Sequence, residues 1–360
     1  MYKSFRVQNY RCFEDLELTD LARINLIAGK NNVGKTSLLE ALFIYSNPRN
    51  PGLTLAVNVF RGLSFFKIEF GKVQGRTPWD TLFKDFDTTK LIRLSSEGTW
   101  KLEVRLLHDV EELAKVGPVL QSDGGLPSMT PETYRVIKLE AYGFGKETQT
   151  HYMILDRDGN KIIVPISPPM GFDSVFVAAK EQGTPESRQK NDTERFSNLK
   201  RLRKADLLVE ALRAIEPRLR GLELLDDGIY GDVEGFDPPV PIAVMGGGVA
   251  NLMSIVLAAG HSRNGSVFID EIENGFHYSI QAEVWRAIAK AARDFNVQVF
   301  ATTHSLEMIK AAHEAFKDDD PYDFRLHRLD RSKKTDKIEA TTFDQETMEA
   351  TAAKGFEVRG

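Results

Sequence analysis

The 360-residue sequence has a single cysteine, Cys12, so one chain can build neither a disulfide framework nor a zinc site made of cysteines. It has no uncharged apolar run near the roughly 18 residues that a membrane-spanning helix needs. Its first residues also lack the apolar core of a signal peptide. These absences predict a cytoplasmic protein with no membrane partner.

Positive charge is not in excess either. The formal net charge is -5 at pH 7, so no global positive field marks a nucleic-acid partner, and only a local basic patch could serve DNA. Internal repeats and sustained heptads are absent, which excludes a long coiled-coil arm. Hydrophobic residues make up 42% and charged residues 28%, the balance of a folded globular chain.

The order of apolar segments predicts an α/β fold. Two short strands and a helix come first, and a turn-rich connection, a β-rich region with hairpin signals and a helical region follow. Strand–helix alternation then predicts a parallel sheet, and the tail predicts a strand pair and a short final helix. In order, the segments up to this alternation are 4–8, 22–28, 36–45, 47–62, 63–178 (with a loop at 117–131) and 193–217, and the alternation begins after residue 240.

A glycine-rich loop between the second strand and the first helix matches the pattern G-x-x-x-x-G-K-[ST]. Its backbone N–H groups and the helix N-terminus predict a phosphate site. Lys35 is expected to reach the β- and γ-phosphates, and the Thr36 hydroxyl is expected to bind Mg²⁺. The loop reads Gly29, Lys30, Asn31, Asn32, Val33, Gly34, Lys35 and Thr36.

Two adjacent carboxylates, Asp270 and Glu271, follow an apolar strand. Asp270 is predicted to hold Mg²⁺, and Glu271 to orient and partly deprotonate an attacking water. A second apolar strand ends at His304, which would lie at the same edge of a parallel sheet and could contact the γ-phosphate.

Three glycines, Gly246 to Gly248, precede another apolar helix. They indicate a second anion-binding helix N-terminus, or else a flexible turn that enters a core helix.

Taken in order, RVQNYRCFEDLEL, AGKNNVGKTSLLEALF, VMGGGVANLMSIVLAA, SVFIDEIENGFHYS and QVFATTHS resemble the ABC-type ATPases of the RecF/SMC-like group. The resemblance is strongest to the ATPase domains of the OLD (overcoming lysogenization defect) family and to small prokaryotic relatives without a Toprim domain. It implies a P-loop NTPase fold: an ABC-type ATPase head with a mixed or parallel core sheet, an antiparallel β lobe and a helical signature lobe.

The resemblance also implies the cofactors, ATP and Mg²⁺, and a homodimer or higher homo-oligomer that encloses ATP. Gly29, Gly34, Lys35, Thr36 and Ser37 fall on the Walker A loop, with Asn31, Asn32 and Val33 inside it. Gly246 and Gly248 fall on the signature that serves the partner's nucleotide, Asp270 and Glu271 on Walker B, and His304 on the switch histidine. Arg11 matches the segment that lies over the nucleotide.

Two departures are evident. The signature is not the usual Ser-Gly-Gly form, and relatives often carry an acidic residue at the place of Gly247. The glutamine of the Q-loop is also not fixed, because Gln182 and Gln189 both follow the strand SVFVAA.

One ABC-type domain over 1–360 is therefore expected. Its parts are an N-terminal part with Walker A, a β-rich lobe, a helical lobe with the signature, and a C-terminal part with Walker B and the histidine, at 1–62, 63–178, 179–260 and 261–360. Full OLD-family proteins carry a Toprim nuclease domain, and the 55 or so residues after His304 are too few for an ordinary domain.

Two functions follow. The first is an ATP-driven switch or scaffold for a separate effector, which by analogy would be a Toprim-type nuclease in anti-phage defence. The alternative is a RecF- or SMC-like DNA-binding ATPase in repair. A basic run supports that alternative, although a solvated helix face explains it better: Lys200, Arg201, Arg203, Lys204, Arg213, Arg218 and Arg220. A transporter ATPase fits the β-rich insertion and the N-terminal segment poorly.

Overall fold

The computed structural model describes residues 1–63, 77–116, 134–143, 148–156, 162–163, 173–179, 185–225 and 228–353. Two large sheets and a helical region with a small third sheet form the described part. The predicted β-run at 64–70, the predicted loop at 117–131 and Gln182 lie outside the described residues.

A six-stranded sheet forms the centre of the protein, with the strand order β16-β15-β3-β14-β13-β9. Five strands are parallel, and the edge strand β16 is antiparallel to β15. The central strands are buried on both faces, as the apolar sequence of parallel strands predicts. The bounds are β3 Ile24–Gly29, β9 Ser174–Val177, β13 Ser266–Ile269, β14 Gln298–Thr302, β15 Phe324–Arg331 and β16 Ile338–Phe343.

A second, antiparallel sheet has the order β2-β1-β4-β5-β6-β7-β8, which confirms the predicted antiparallel lobe. Its first two strands come from the start of the chain, whereas β9, at the end of the β-rich region, pairs with β13 in the central sheet. The bounds are β1 Phe5–Tyr10, β2 Phe13–Leu18, β4 Ile92–Ser95, β5 Lys101–Leu107, β6 Tyr134–Tyr142, β7 Gln149–Asp156 and β8 Ile162–Ile163.

Helix α1 (Lys35–Ser46) contacts strands of both sheets, and every residue from Ser37 to Ser46 is buried. A helix buried on all sides needs apolar residues all round, which residues 38–45 supply except at Glu40. The first turn of this helix is therefore held rigidly at the edge where β3 ends.

Two elements differ from the sequence prediction. Residues 47–62, predicted as a connection, contain helix α2 (Leu53–Val59), because buried Leu55 and Val57 pack inward despite the surrounding turn residues. The helical lobe also contains a three-stranded sheet, with β10 Leu219–Leu225, β11 Gly228–Val233 and β12 Val240–Pro241. Most of β10 is exposed, so it lacks the apolar alternation that predicts strands.

Of the remaining helices, α3 packs against the antiparallel sheet and the others lie around the central sheet. They are α3 Val110–Val116, α4 Pro185–Arg201, α5 Ala205–Leu212, α6 Gly247–His261, α7 Gln281–Asp294, α8 Leu306–Phe316 and α9 Gln345–Ala353. The strand pair β15–β16 and the short helix α9 confirm the predicted tail. Among the described residues, no helix has the length and apolar character needed to cross a bilayer.

A buried histidine lies inside the central sheet. His327 of β15 is 0% exposed. Its Nδ1 is 3.0 Å from Thr342 Oγ1, and its Nε2 is 3.3 Å from Asn25 Oδ1. Burial, together with the nearby positive charge of Arg325, lowers the pKa of His327 to about 3. The ring is therefore neutral in the folded protein at pH 5 to 8.

This histidine predicts a loss of stability in mild acid. Because its folded pKa lies below its ordinary value of 6.5, its contribution is complete above pH 6.5 and is lost as the pH falls towards 3. Between pH 7 and pH 5, we expect the wild type to lose about 2 kcal/mol more unfolding free energy than His327→Gln. Urea unfolding of both proteins at the two pH values measures this, and equal losses would contradict it.

Candidate nucleotide and metal site

The phosphate loop, residues 29–36, connects β3 to α1 at the carboxyl edge of the central sheet. Gly29 and Gly34 have φ angles of 147° and 92°, which favour glycine. Packing also requires them. A Cβ at Gly34 would lie 2.5 Å from Cys12 Sγ, and one at Gly29 would lie 2.5 Å from the carbonyl oxygen of Leu329. The loop is thus fixed between the β1–β2 turn and β15.

Lys35, at the start of α1, lies over this loop. Its Nζ donates to the carbonyl oxygens of Gly29, at 2.8 Å, and Lys30, at 3.0 Å. Burial lowers the pKa of Lys35, and the carboxylates of Glu273, Asp270 and Glu271 oppose that shift. The ammonium lies within the phosphate loop, where it can reach the phosphates of a bound nucleotide.

Asp270 is the residue at which three segments meet. Its Oδ1 accepts a hydrogen bond from Thr302 Oγ1 at 2.6 Å and one from Thr36 Oγ1 at 3.0 Å. Thr36 comes from the phosphate loop and Thr302 from the end of β14. Burial raises the pKa of Asp270, and the two hydroxyl hydrogen bonds oppose that rise. The two predicted metal residues, Thr36 and Asp270, are therefore in direct contact.

The oxygen donors of this cluster fit Mg²⁺. Mg²⁺ prefers hard oxygen ligands and is commonly held by one or two protein oxygens, phosphate oxygens and water. Thr36 Oγ1 and the Asp270 carboxylate are such ligands and converge on one point. Within the described ranges, no cluster of three or more His, Cys, Asp or Glu side chains could hold a metal ion.

The sequence prediction did not include Thr302 among the site residues. Besides donating to Asp270, its Oγ1 accepts the backbone N–H of Glu271 at 2.8 Å. Glu271 has a φ of 51°, and its Oε2 accepts from Asn274 Nδ2 at 3.1 Å. One hydroxyl thus fixes both members of the Asp-Glu pair. The sequence signal for this role was a threonine at the end of β14, the strand next to β13.

His304 follows β14 and contacts Glu273, a second residue that the sequence prediction did not include. Glu273 Oε1 lies 2.8 Å from His304 Nδ1 and accepts the His304 backbone N–H at 2.9 Å. The imidazole is half exposed, whereas the Glu273 side chain is 11% exposed. The histidine therefore lies at the site edge with one ring nitrogen engaged.

Arg11 lies beside α1 and forms an ion pair with Glu40, with a separation of 2.8 Å between Nε and Oε2. Glu40 is 0% exposed and also pairs with Arg61 at 2.7 Å. Burial raises the pKa of Glu40, and the two guanidinium groups oppose this. Arg61 Nη2 also donates to Ser37 Oγ at 3.0 Å, so Arg61 is the guanidinium in contact with the Walker A segment. The predicted nucleotide contact of Arg11 stays a prediction.

Gly246 is the N-cap of α6 and Gly247 and Gly248 begin its first turn, and the predicted apolar stripe of that helix is buried. Gly246 has a φ of 105°, and a Cβ there would meet nothing within 4 Å. A Cβ at Gly248 would lie 2.9 Å from the carbonyl oxygen of Gly275, and Asn251 Nδ2 donates to the carbonyl oxygen of Asn274 at 2.9 Å. The turn thus packs against the segment that follows Glu271.

Gln189, one of the two Q-loop candidates, lies on α4. A Cβ added to Gly228 of β11 would lie 2.8 Å from its Nε2. Gln189 therefore faces the small sheet of the helical lobe.

Proteins similar in sequence to this chain occur in Helicobacter pylori and in an Exiguobacterium species. It is 24% identical over 353 residues to an "ATP/GTP phosphatase" of Helicobacter pylori, an alignment that covers 89% of this chain and 90% of the relative. It is 48% identical over 42 residues to the DNA replication and repair protein RecF of an Exiguobacterium species, covering 12% of this chain and 11% of RecF.

Among solved structures, the SMC head domain from Thermotoga maritima matches with 11% identity and a TM-score of 0.44, covering 95% of this chain and 99% of that one. An SMC head bound to the C-terminal winged-helix domain of ScpA matches with 12% identity and a TM-score of 0.48, covering 97% and 99%. A family profile described as AAA ATPase domain matches residues 1–97 and 160–309, more than half of the chain. The protein therefore belongs to the AAA ATPase domain family.

Proposed function

We propose that this protein hydrolyses ATP with Mg²⁺ at the site around Asp270, and that two copies enclose the nucleotide. The contact of Thr36 and Thr302 with one carboxylate carries the proposal, because it joins the phosphate loop, the Asp-Glu pair and the histidine strand. The Helicobacter relative named ATP/GTP phosphatase supports nucleotide hydrolysis and makes GTP the second nucleotide to test.

Each residue has a chemical task in this proposal. Backbone N–H groups of the loop and Lys35 bind the phosphates, and Thr36 and Asp270 hold Mg²⁺, which neutralises charge on the β- and γ-phosphate oxygens when bound. Glu271 orients a water for in-line attack and accepts its proton. His304 contacts the γ-phosphate from the adjacent strand end.

The glycine turn at 246–248 serves a second copy of the chain in this proposal. Gly246 is exposed, and an open N-terminus of the 15-residue helix α6 favours an anion. Val244, which lies just before this turn, is 71% exposed. Tyr278, three residues after Gly275, is 69% exposed. A closing dimer would bury such apolar side chains.

We expect Glu271→Gln to lower ATP turnover by at least about a hundredfold while ATP still binds, because the substitution removes the base and keeps the size of the side chain. The variant should accumulate as an ATP-bound dimer, which light scattering coupled to size exclusion detects. Glu283→Gln, at an exposed carboxylate paired with Arg286, is the matched control and should behave as wild type. Equal turnover in the wild type and Glu271→Gln would refute the assignment of the base.

Lys35→Ala should fail at ATP binding, the step that precedes hydrolysis. Because the ammonium contacts phosphates in the ground state, its loss should weaken ATP binding itself and prevent the ATP-dependent dimer. Equilibrium binding of a fluorescent ATP analogue separates this variant from Glu271→Gln. An unchanged affinity for ATP would show that Lys35 does not contact the phosphates.

We further propose that the protein acts as a switch or scaffold for a separate effector. The effector expected is a Toprim-type nuclease in anti-phage defence. The resemblance of the motifs to OLD-family ATPase domains motivates this proposal. The Glu271→Gln dimer should co-purify with the effector encoded beside it better than the Lys35→Ala protein does. A lone protein with no nucleotide-dependent partner would count against it.

DNA binding is the second candidate function. Lys200, Arg201 and Arg203 are all exposed at the end of α4, and short matches to RecF point the same way. Lys204, the next basic residue, is instead partly engaged, because its Nζ contacts the carbonyl oxygen of Asp294 at 3.3 Å.

If this surface binds DNA, affinity should fall steeply with salt, with a slope of log K against log salt of about -3 for three phosphate contacts. Changing Lys200, Arg201 and Arg203 to alanine should flatten that slope. Changing the exposed Lys333 and Lys334 to alanine is the control and should leave the slope unchanged. Absence of DNA binding at low salt, with and without ATP, would remove this function.

A further inference from the structure

We propose that Glu273 is a positioning residue for His304: its carboxylate holds Nδ1 and so sets the ring orientation in which Nε2 meets the γ-phosphate. The inference deepens the proposed ATP hydrolysis and rests on it. Glu273 is not one of the Asp-Glu pair and lies three residues after Asp270. Its two contacts with one histidine carry the proposal.

The first support is that a single carboxylate oxygen engages His304 twice. Glu273 Oε1 is 2.9 Å from the backbone nitrogen of His304 and 2.8 Å from its Nδ1. A carboxylate oxygen accepts hydrogen bonds, so the short Nδ1 contact requires a proton on Nδ1. Nε2 is then the ring nitrogen available to a phosphate. Because phosphate oxygens accept hydrogen bonds, Nε2 can donate to one only when it also carries a proton, and the doubly protonated ring needs an acceptor such as Glu273 at Nδ1.

The second support is that the backbone on both sides is already fixed. The N–H of Ile272 donates to the carbonyl oxygen of Thr302 at 3.0 Å, and the N–H of Thr303 donates to that of Ile27 at 3.0 Å. Ser305 caps α8 by accepting the N–H of Met308 at 3.1 Å. The backbone on either side of His304 is therefore held by hydrogen bonds that do not involve Glu273, so loss of the carboxylate should chiefly release the His304 side chain.

The third support is the environment of Glu273 itself. Its side chain is 11% exposed, and among the described residues its buried Oε2 has no hydrogen-bond partner. A buried acceptor without a partner lowers stability, so packing alone does not explain a carboxylate here. Glu273 is also the first of the three carboxylates that oppose the lowered pKa of Lys35, which puts its charge beside the phosphate-binding ammonium.

Removal of Glu273 should therefore impair the chemical step and spare nucleotide binding. We expect Glu273→Ala to lower kcat by about 10- to 100-fold, the range for loss of a residue that orients a functional histidine, with ATP affinity within about threefold of the wild type. Glu273→Gln retains an acceptor oxygen and should recover most of the activity. Glu283→Ala is the surface control, and thermal unfolding verifies that each variant is folded.

A double-mutant cycle tests whether Glu273 acts through His304. If it does, Glu273→Ala should lower the activity of His304→Ala by less than about twofold, because the residue that it positions is gone. A further loss as large as in the wild-type background would overturn the proposal. So would a normal kcat in Glu273→Ala.

Nuclear magnetic resonance of the histidine rings gives a readout that does not require hydrolysis. With ¹⁵N-labelled histidine and His304→Ala to assign the signal, we expect Nδ1 of His304 to be protonated in the wild type and in Glu273→Gln. In Glu273→Ala the Nε2–H tautomer should appear. A wild-type ring protonated only at Nε2 would overturn the proposal, whereas a protonated Nδ1 in a wild type without ATPase activity would count against the proposed function alone.

Discussion

The site depends on one carboxylate that two hydroxyl groups share. Thr36 and Thr302 both donate to Asp270, and Thr302 in turn accepts the N–H of Glu271. Through these three bonds the phosphate loop, the acidic pair and the strand that leads to His304 keep a fixed relative position. Burial raises the pKa of Asp270 and the two hydroxyl hydrogen bonds oppose that rise, and a cation bound here would favour the charged carboxylate in the same direction as those bonds.

The fold holds this cluster in place from two sides. The central sheet brings the ends of β3, β13 and β14 to one edge, and α1 is clamped between the two sheets. The close approach of Gly34 to Cys12 shows that the antiparallel lobe contacts the loop directly, so the lobe is part of the site's support. The turn at 274–275 then links Glu271 to the glycine turn before α6, through Asn251 and Asn274.

The parts predictable from sequence were those with a strong local signal. The glycine pattern of the phosphate loop and the apolar strands before Asp270 and His304 were enough to predict the parallel sheet and the edge of it that carries the candidate site. Thr302, Glu273 and Arg61 were not predictable in this way, because their roles depend on partners 31, 31 and 24 residues away in the chain. Strand β10 was missed because its exposed half has no apolar alternation. The ion pair between Arg11 and buried Glu40 was not predicted, because it forms only in the folded protein.

Calorimetric titration of the purified wild-type protein with ATP, in the presence and absence of Mg²⁺, tests the assignment of the Asp270 cluster most directly. We expect one ATP per chain, bound more tightly with Mg²⁺ than without it, because Thr36 and Asp270 would share the ion with the phosphates. No uptake of ATP, or an affinity that is indifferent to Mg²⁺, would contradict that assignment.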